Sequence, residues 1–287
     1  MNHCSHLLRP GGRPKVLTPA SCGSVAKLSR GAPLNNARVA GSQVETVAYI
    51  PARMGSERVR RKNLRLLGGE PLVCHVSRTA LCASSLDRVF VNTENSEIAS
   101  VAEATGVEIY MRAPHLAASS VTTDEILYDF AKAIPSRSIA VINPTAPFLT
   151  AETINRVMAA FHAGDAGATL FTTTEMRKHF VVDGMPANFN PSSRSPRTQD
   201  LPPFAYINFV MFVIARAKVI GEYERRGYCL WSPPLAFFPI SGRESHDIDN
   251  ENDFAVAEAI LASVGPMLEV ENRRQRTHMR LQARAQL

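Results

Sequence analysis

The sequence predicts an α/β protein: a mostly parallel twisted sheet with helices on both faces. Three observations carry that expectation. Short apolar runs such as Val47–Ile50 and Ser138–Ile142 have the continuous hydrophobicity of strands covered on both sides. The segments between them carry helix start and stop residues. Strand-like and helix-like stretches then alternate from Val47 onward, the pattern of a sheet built by crossover connections.

Element by element, Val47–Ile50 is a strand bounded by Pro51, followed by a helix near Pro71–Ala83 with its proline at the first helical position. Arg88–Asn92 is the next strand, and a helix near Ser96–Thr105 stops at Gly106. Val107–Met111 reads as a strand and Thr122–Ile134 as a helix opened by Thr and Asp. Ser138–Ile142 is a strand ending at Asn143-Pro-Thr-Ala-Pro147, after which Thr150 can cap a helix to about Ala163. Ala168–Thr173 is a fifth strand. His179–Pro203, rich in Pro, Ser, Asn and Arg, is expected to form a small excursion or lid. Ala205–Ala215 and Leu235–Ile240 are further strands, and Asn250-Glu-Asn-Asp-Phe opens a last helix to about Val264. No internal repeat is visible.

The 287-residue chain carries a formal net charge of +6, which is misleading as a guide to partners. Residues 1–44 hold six Lys or Arg and no acid; residues 271–287 hold five Arg and one Glu. Between them, residues 45–270 carry 21 bases and 25 acids, a net of −4. The globular part is mildly acidic, which argues against a nucleic-acid partner. Three parts follow: a basic extension (1–44), a globular domain (45–270) and a basic tail (271–287). The extension has the composition of a disordered segment. Its lack of acids is also that of a transit peptide, and a mis-assigned gene start, with Val44 as initiator, explains it equally. No apolar run is long enough to span a membrane. The five cysteines (Cys4, Cys22, Cys74, Cys82, Cys229) form an odd set without metal-ligand spacing, as in a reduced, cytoplasmic protein.

Two constellations carry chemistry. After the first strand comes Tyr49-Ile-Pro-Ala-Arg-Met-Gly-Ser-Glu-Arg-Val-Arg-Arg-Lys-Asn63. Gly55 lets backbone approach phosphate oxygens, and successive amides of such a turn form an anion nest. Arg53 and Lys62 place positive charge where a leaving pyrophosphate becomes negative. Neither a Walker A loop nor a Gly-x-Gly-x-x-Gly turn is present, and a basic surface turn is the plain alternative. The second constellation is His246-Asp247-Ile248-Asp249. In an extended segment Asp247 and Asp249 project to one side, with Ile248 turned to the core. Paired carboxylates suit Mg²⁺; capping of the following helix by acidic residues is the alternative. Together the two constellations specify nucleotidyl transfer, in which an acceptor oxygen attacks a nucleoside triphosphate and pyrophosphate leaves.

In order along the chain stand Ile50-Pro-Ala-Arg-Met-Gly-Ser, Lys62-Asn63, Val91-Asn-Thr-Glu, and Arg112 with Leu116-Ala117. Asn143-Pro-Thr-Ala-Pro147, Pro196-Arg197 with Leu201-Pro202, and Asp247-Ile-Asp249 complete the set. This ordered set, from about Val47 to Ala262, resembles the acylneuraminate cytidylyltransferases, the CMP-sialic acid synthetases and their bacterial relatives. The resemblance implies a Rossmann-like nucleotidyltransferase fold and a CTP- and Mg²⁺-dependent transfer to a small acidic acceptor, above all a nonulosonic (sialic-type) sugar acid. It implies that Arg53 and Lys62 polarise the triphosphate, that Gly55 and Ser56 belong to its loop, and that Asn63, Arg112 and Thr123 hold the nucleotide. Asp247 and Asp249 would bind the metal; Asn143, Arg197 and Asn208 would face the acceptor. It also implies a homodimer with acceptor sites completed near the interface.

Several positions depart from the family pattern. Glu57 replaces a lysine in the phosphate loop, with Arg58, Arg60 and Arg61 nearby to compensate. Asn143 replaces a glutamine, Ser119 an aspartate, and Phe209 a glycine in the strand Asn208-Phe-Val-Met-Phe212. The nucleotide half is thus better preserved than the acceptor half. Two alternatives stand beside the leading reading: the same CTP chemistry on a smaller acid such as a phosphonate, which the reshaped acceptor strand motivates, and a non-catalytic nucleotide-binding relative, which only Glu57 favours. The general base is not identified by spacing.

Overall fold

The computed structural model describes residues 46–165 and 167–263. The expectations for the basic extension and for the C-terminal tail lie outside the described residues. In chain order the principal elements are strand β1 (Thr46–Pro51), the ribbon of β2 (Leu66–Leu67) and β3 (Glu70–Pro71), helix α1 (Leu72–Cys82) and β4 (Arg88–Thr93). Helix α2 (Ser96–Glu103), β5 (Glu108–Met111), α3 (Thr123–Ala133), β6 (Ser138–Ile142), α4 (Ala151–Ala163) and β7 (Thr169–Met176) follow. Then come the ribbon of β8 (Val181–Val182) and β9 (Met185–Pro186), the long β10 (Phe204–Ala215), α5 (Arg216–Arg226) and β11 (Leu235–Pro239). A helix over residues 251–263, here α6, is the last described element.

Seven strands form one sheet in the order β11-β7-β10-β6-β1-β4-β5. β1 pairs parallel with both β4 and β6, β4 pairs parallel with β5, and β11 with β7. β10 runs antiparallel to both its neighbours, β6 and β7. The mostly parallel sheet is therefore as expected, with one antiparallel strand that an apolar run alone could not reveal, because burial on both faces does not encode direction.

Each central strand divides its side chains between two cores by its period of two. Ala48, Ile50, Val89, Val91, Ala140 and Ile142 face one layer with residues of α1, α2 and α4, among them Val73, Ile98 and Ile154. Val47, Tyr49, Phe90, Ile139 and Val141 face the other, with Leu127 and Phe130 of α3 and Val219 of α5. Burying each of these large side chains is worth about 1.5–3 kcal/mol, so the two layers together lock the sheet in register. A third cluster (Val59, Leu67, Leu72, Phe148, Ile248, Phe254 and Ala257) fastens α6 beneath the loop after β1.

Helix ends follow the residues expected to make them. Asn95 accepts from the amides of Glu97 and Ile98, Thr122 and Glu125 form a capping box, and Thr150 accepts from the Thr153 amide. Pro71 sits one place earlier than expected, at the N-cap of α1 and within β3. Helix α5 was not expected at all: Arg216-Ala-Lys-Val-Ile-Gly-Glu-Tyr-Glu-Arg-Arg buries only Val219 fully, so its apolar periodicity is faint. The excursion after β7 is present. It contains only the two-residue ribbon β8–β9 and a short 3₁₀ turn at Thr198–Asp200.

Candidate functional site

The chain leaves β1 through α1 to β4 and β5 on one side, then returns through α3 to β6 on the other. That reversal parts the loops at the carboxyl ends of β1 and β6 and opens a crevice, where ligands of open α/β sheets bind. Pro51, Arg53, Asn143 and Phe209 stand at its centre and line two adjoining clefts. One, about 470 Å³, is bounded by Ser56, Arg58, Lys62, Asn63, Asp247 and Asp249. The other, about 320 Å³, is bounded by Arg112, Leu116, Ser119, Thr123 and Ile126. A third, about 350 Å³, opens between Tyr206–Phe209 and Ser245–Asp249.

The two sequence constellations meet in the first cleft. Lys62 Nζ donates to the Ile248 carbonyl at 2.7 Å, and an Arg58–Asp249 ion pair closes at 2.7 Å. Burial pulls the Lys62 ammonium below its ordinary value, outweighing the pull of Asp247 and Asp249 in the other direction. Asn63 is buried and donates from its amide to the Arg53 carbonyl at 2.8 Å, so it shapes the loop from beneath. Arg53 makes no ion pair among the described residues and remains available to an anion.

The loop itself is not a nest of free amides. The Ser56 N–H donates to the Met54 carbonyl and the Met54 N–H to Glu94, both at 2.8 Å. A Cβ added at Gly55 would meet nothing within 4 Å, and its φ is not in the left-handed region. Two amides are thus already engaged, which leaves the loop's basic side chains as its means of meeting an anion.

The carboxylate pair has the predicted disposition. Ile248 is fully buried and its N–H donates to the Thr145 carbonyl at 2.9 Å, which turns Asp247 and Asp249 to the cleft. The Asp247 Oδ1 is buried with no hydrogen-bond partner among the described residues. Burial, and Asp249 beside it, hold the Asp247 carboxyl above its usual range, although Thr145 and Lys62 oppose the shift. Capping of α6 falls instead to Asn250 and Asp253: Asn250 Oδ1 accepts from the amides of Asn252 and Asp253, and Asp253 from those of Asp249 and Asn250. That removes the plain explanation for Asp247. Among the described residues, no three His, Cys, Asp or Glu side chains converge as a ready metal cage. A buried, unpartnered carboxylate oxygen beside a second carboxylate nonetheless suits Mg²⁺, which takes one or two protein carboxylates and completes its shell with phosphate oxygens and water.

The acceptor-facing assignments fare differently. Asn143 lines both main clefts, but its amide donates to the Phe209 carbonyl. Asn208 borders the third cleft but is only 6% exposed, and its side chain is spent on internal bonds. Its Oδ1 accepts from Thr172 Oγ1 (2.7 Å) and from the Val210 N–H (3.1 Å), and its Nδ2 donates to Thr174 Oγ1 (2.9 Å). These bonds replace ladder bonds lost where β10 shifts register against β7 between Ile207 and Phe212, a bulge. Phe209, at its crest, has φ +52 and lines all three clefts, with its ring against Phe171 and Trp231. Arg197 is not brought to the clefts: it lies exposed on the excursion, paired to Asp200 at 2.7 Å. Thr123 and Arg112 line the second cleft, Thr123 exposed at the start of α3 and Arg112 buried.

Other singled-out residues prove structural. His75 contacts the Leu67 carbonyl, Cys74 is buried, and Trp231 stacks on Phe171. No helix among the described residues is long and apolar enough to cross a membrane.

Residues 47–183 match the family model described as cytidylyltransferase. The N-acylneuraminate cytidylyltransferase of Oncorhynchus mykiss is 28% identical over 235 residues, covering 76% of this chain and 50% of its own. The chain thus spans about half the length of that relative. The CMP-N,N'-diacetyllegionaminic acid synthase of Legionella pneumophila is 29% identical over 228 residues, covering 75% of this chain and 95% of its own. A solved CMP:2-keto-3-deoxy-manno-octonic acid synthetase complexed with CTP superposes with a TM-score of 0.59 at 14% identity, covering 76% of this chain and 99% of that one, and so shares the fold. Taken with the ordered motifs around the β1–β6 crevice, these matches make the chain similar to the cytidylyltransferases, the CMP-sialic acid synthetases among them.

Proposed function

We propose that this protein is a Mg²⁺-dependent cytidylyltransferase that converts CTP and a small acidic acceptor, above all a nonulosonic sugar acid, into a CMP conjugate and pyrophosphate. The observation that carries the reading is the meeting of Arg53 and Lys62 with Asp247 and Asp249 across one cleft, next to the cleft of Arg112 and Thr123. An acceptor hydroxyl oxygen forms a bond to the α-phosphorus and gives up its proton to solvent, while the bond from that phosphorus to the β-phosphate oxygen breaks. Negative charge then accumulates on pyrophosphate, where preorganised cations act with greatest effect. Arg53, with no ion pair among the described residues, and Lys62, held on the Ile248 carbonyl, take that role. Ser56 and Gly55 border the triphosphate, while Asn63 keeps the loop in shape from below. Arg112 and Thr123 hold the nucleoside end.

Asp247 and Asp249 would hold the cation, whose charge neutralises phosphate oxygens. The unpartnered Asp247 Oδ1 supports that assignment. The Arg58–Asp249 pair gives Asp249 a counter-ion within the chain itself. Asn143 faces the acceptor side through the Phe209 carbonyl it fixes, whereas Asn208 supports the bulge from behind. The relatives named as acting on sugar acids support the acceptor class, and the homodimer implied by the family resemblance completes the proposal.

A second reading keeps CTP but uses a smaller acid such as a phosphonate. Phe209 favours it, because a phenyl-bearing residue at a left-handed φ borders all three clefts. Pyrophosphate release by the full chain with Mg²⁺, over the four nucleoside triphosphates and a panel of nonulosonic acids, 3-deoxy-octulosonic acid and small phosphonates, separates the two. The first reading predicts release with CTP and a sugar acid. Release with a phosphonate alone would replace it with the second. Binding of no nucleotide would leave a non-catalytic relative.

A further inference from the structure

Glu94 belongs to no role assigned above, yet it touches both halves of the nucleotide site. It follows β4 and precedes the α2 cap, Asn95. Its Oε1 accepts from the Met54 N–H of the phosphate loop at 2.8 Å. Its Oε2 accepts from Arg112 Nη2 at 2.7 Å and Arg112 Nε at 3.1 Å. The Arg112 side chain is 2% exposed and that of Glu94 14%. A guanidinium so buried needs a counter-ion, and loss of one partner of such a pair leaves an uncompensated charge. The Met54 and Arg112 donors hold the Glu94 carboxyl below its usual range in spite of the opposing effect of burial. Backbone bonds run in the same direction: the Ala52 N–H donates to the Asn92 carbonyl and the Arg112 N–H to that of Thr93.

We propose that Glu94 is a positioning residue that fixes the phosphate loop and Arg112 relative to each other, so that the triphosphate and nucleoside ends of one nucleotide are gripped in register. The proposal rests on the cytidylyltransferase reading. It depends on the carboxylate having two acceptor oxygens for two opposed sets of donors. Glutamine has the same shape but one acceptor oxygen; its amide nitrogen must face either the Met54 N–H or the Arg112 guanidinium.

The test is calorimetric titration of wild type, Glu94→Gln and Arg112→Ala with two partial ligands, tripolyphosphate and CMP, each with Mg²⁺. Hydrogen bonds to charged groups are strong enough that Glu94→Gln is expected to weaken both ligands by about tenfold. Arg112→Ala is expected to weaken CMP by a similar factor and tripolyphosphate by less than about threefold. If the glutamine variant lacks a cooperative melting transition, Glu94→Asp, which retains charge but cannot reach both donors, takes its place with the same expected pattern. Weakening of CMP alone, or of neither ligand, would overturn the proposal and leave the cytidylyltransferase reading intact. Absence of CTP binding in the wild type would remove that reading and this one with it.

Discussion

The nucleotide side and the acceptor side of the crevice are built in different ways. On the proposed nucleotide side three candidate residues are held by a partner elsewhere in the chain: Lys62 by the Ile248 carbonyl, Asn63 by the Arg53 carbonyl, Arg112 by Glu94. On the acceptor side the expected contacts are diverted. Asn208 is consumed by its own bulge, Asn143 holds Phe209, and Arg197 lies on an exposed excursion. The lesson is that preorganisation is concentrated where the triphosphate would react, while the acceptor wall is a shaped backbone with few polar groups aimed outward.

The sharpest way to break this comparison is to remove one of the carboxylates proposed to hold Mg²⁺. Asp249→Asn is expected to lower kcat/KM on the order of 10³-fold, because a metal supplies several kcal/mol of charge stabilisation. Asp247→Asn should lose activity comparably and yet melt at a higher temperature in the absence of ligand. The sign follows from the raised carboxyl: folding disfavours its ionised form, so the apo fold loses stability as pH rises above the ordinary carboxyl value of 3.8 and through the raised folded value. Divalent-cation affinity should move oppositely, weakening on acidification at a pH above the ordinary carboxylate range. A lower melting temperature for Asp247→Asn at neutral pH would refute the account of Asp247 as a carboxylate kept for function at a cost to stability.

Arg53→Ala comes next, with an expected loss of about 10²-fold in turnover and little change in melting temperature, since the side chain has no ion pair among the described residues. Steady-state kinetics beside a thermal melt distinguishes that from a folding defect. Phe209 tests the acceptor side. A left-handed φ costs a side-chain-bearing residue about 1–2 kcal/mol, so Phe209→Gly should be more stable than Phe209→Ala by about 1 kcal/mol in urea unfolding. Equal stability would mean that the bulge relaxes once the ring is gone. The smallest effect is expected at Arg197: Arg197→Ala should stay within about threefold of wild type, as befits an exposed i,i+3 ion pair. A loss beyond tenfold would show that the excursion, or a second copy of the chain, delivers Arg197 to the site.

Much of this was legible in the sequence where structure is local. Continuous apolar runs marked β1, β4 and β6, and short polar caps marked α2, α3 and α4. The i, i+2 spacing of Asp247 and Asp249 around a buried Ile248 followed from extended geometry alone. What escaped depends on distant partners. The antiparallel direction of β10 is set by pairing to β6 and β7, and helix α5 has too weak an apolar stripe to announce itself. The inward turn of Asn208 requires Thr172 and Thr174, thirty-odd residues away. Glu94 sat within a recognised motif, but its role emerges only when Met54 and Arg112 are seen on either side of it.

The most direct test of the central claim is equilibrium binding of CTP to the full chain with and without Mg²⁺, beside Asp249→Asn. The account predicts that Mg²⁺ tightens CTP binding to the wild type and has little effect on the variant. Equal CTP affinity in both proteins at every Mg²⁺ concentration would contradict it.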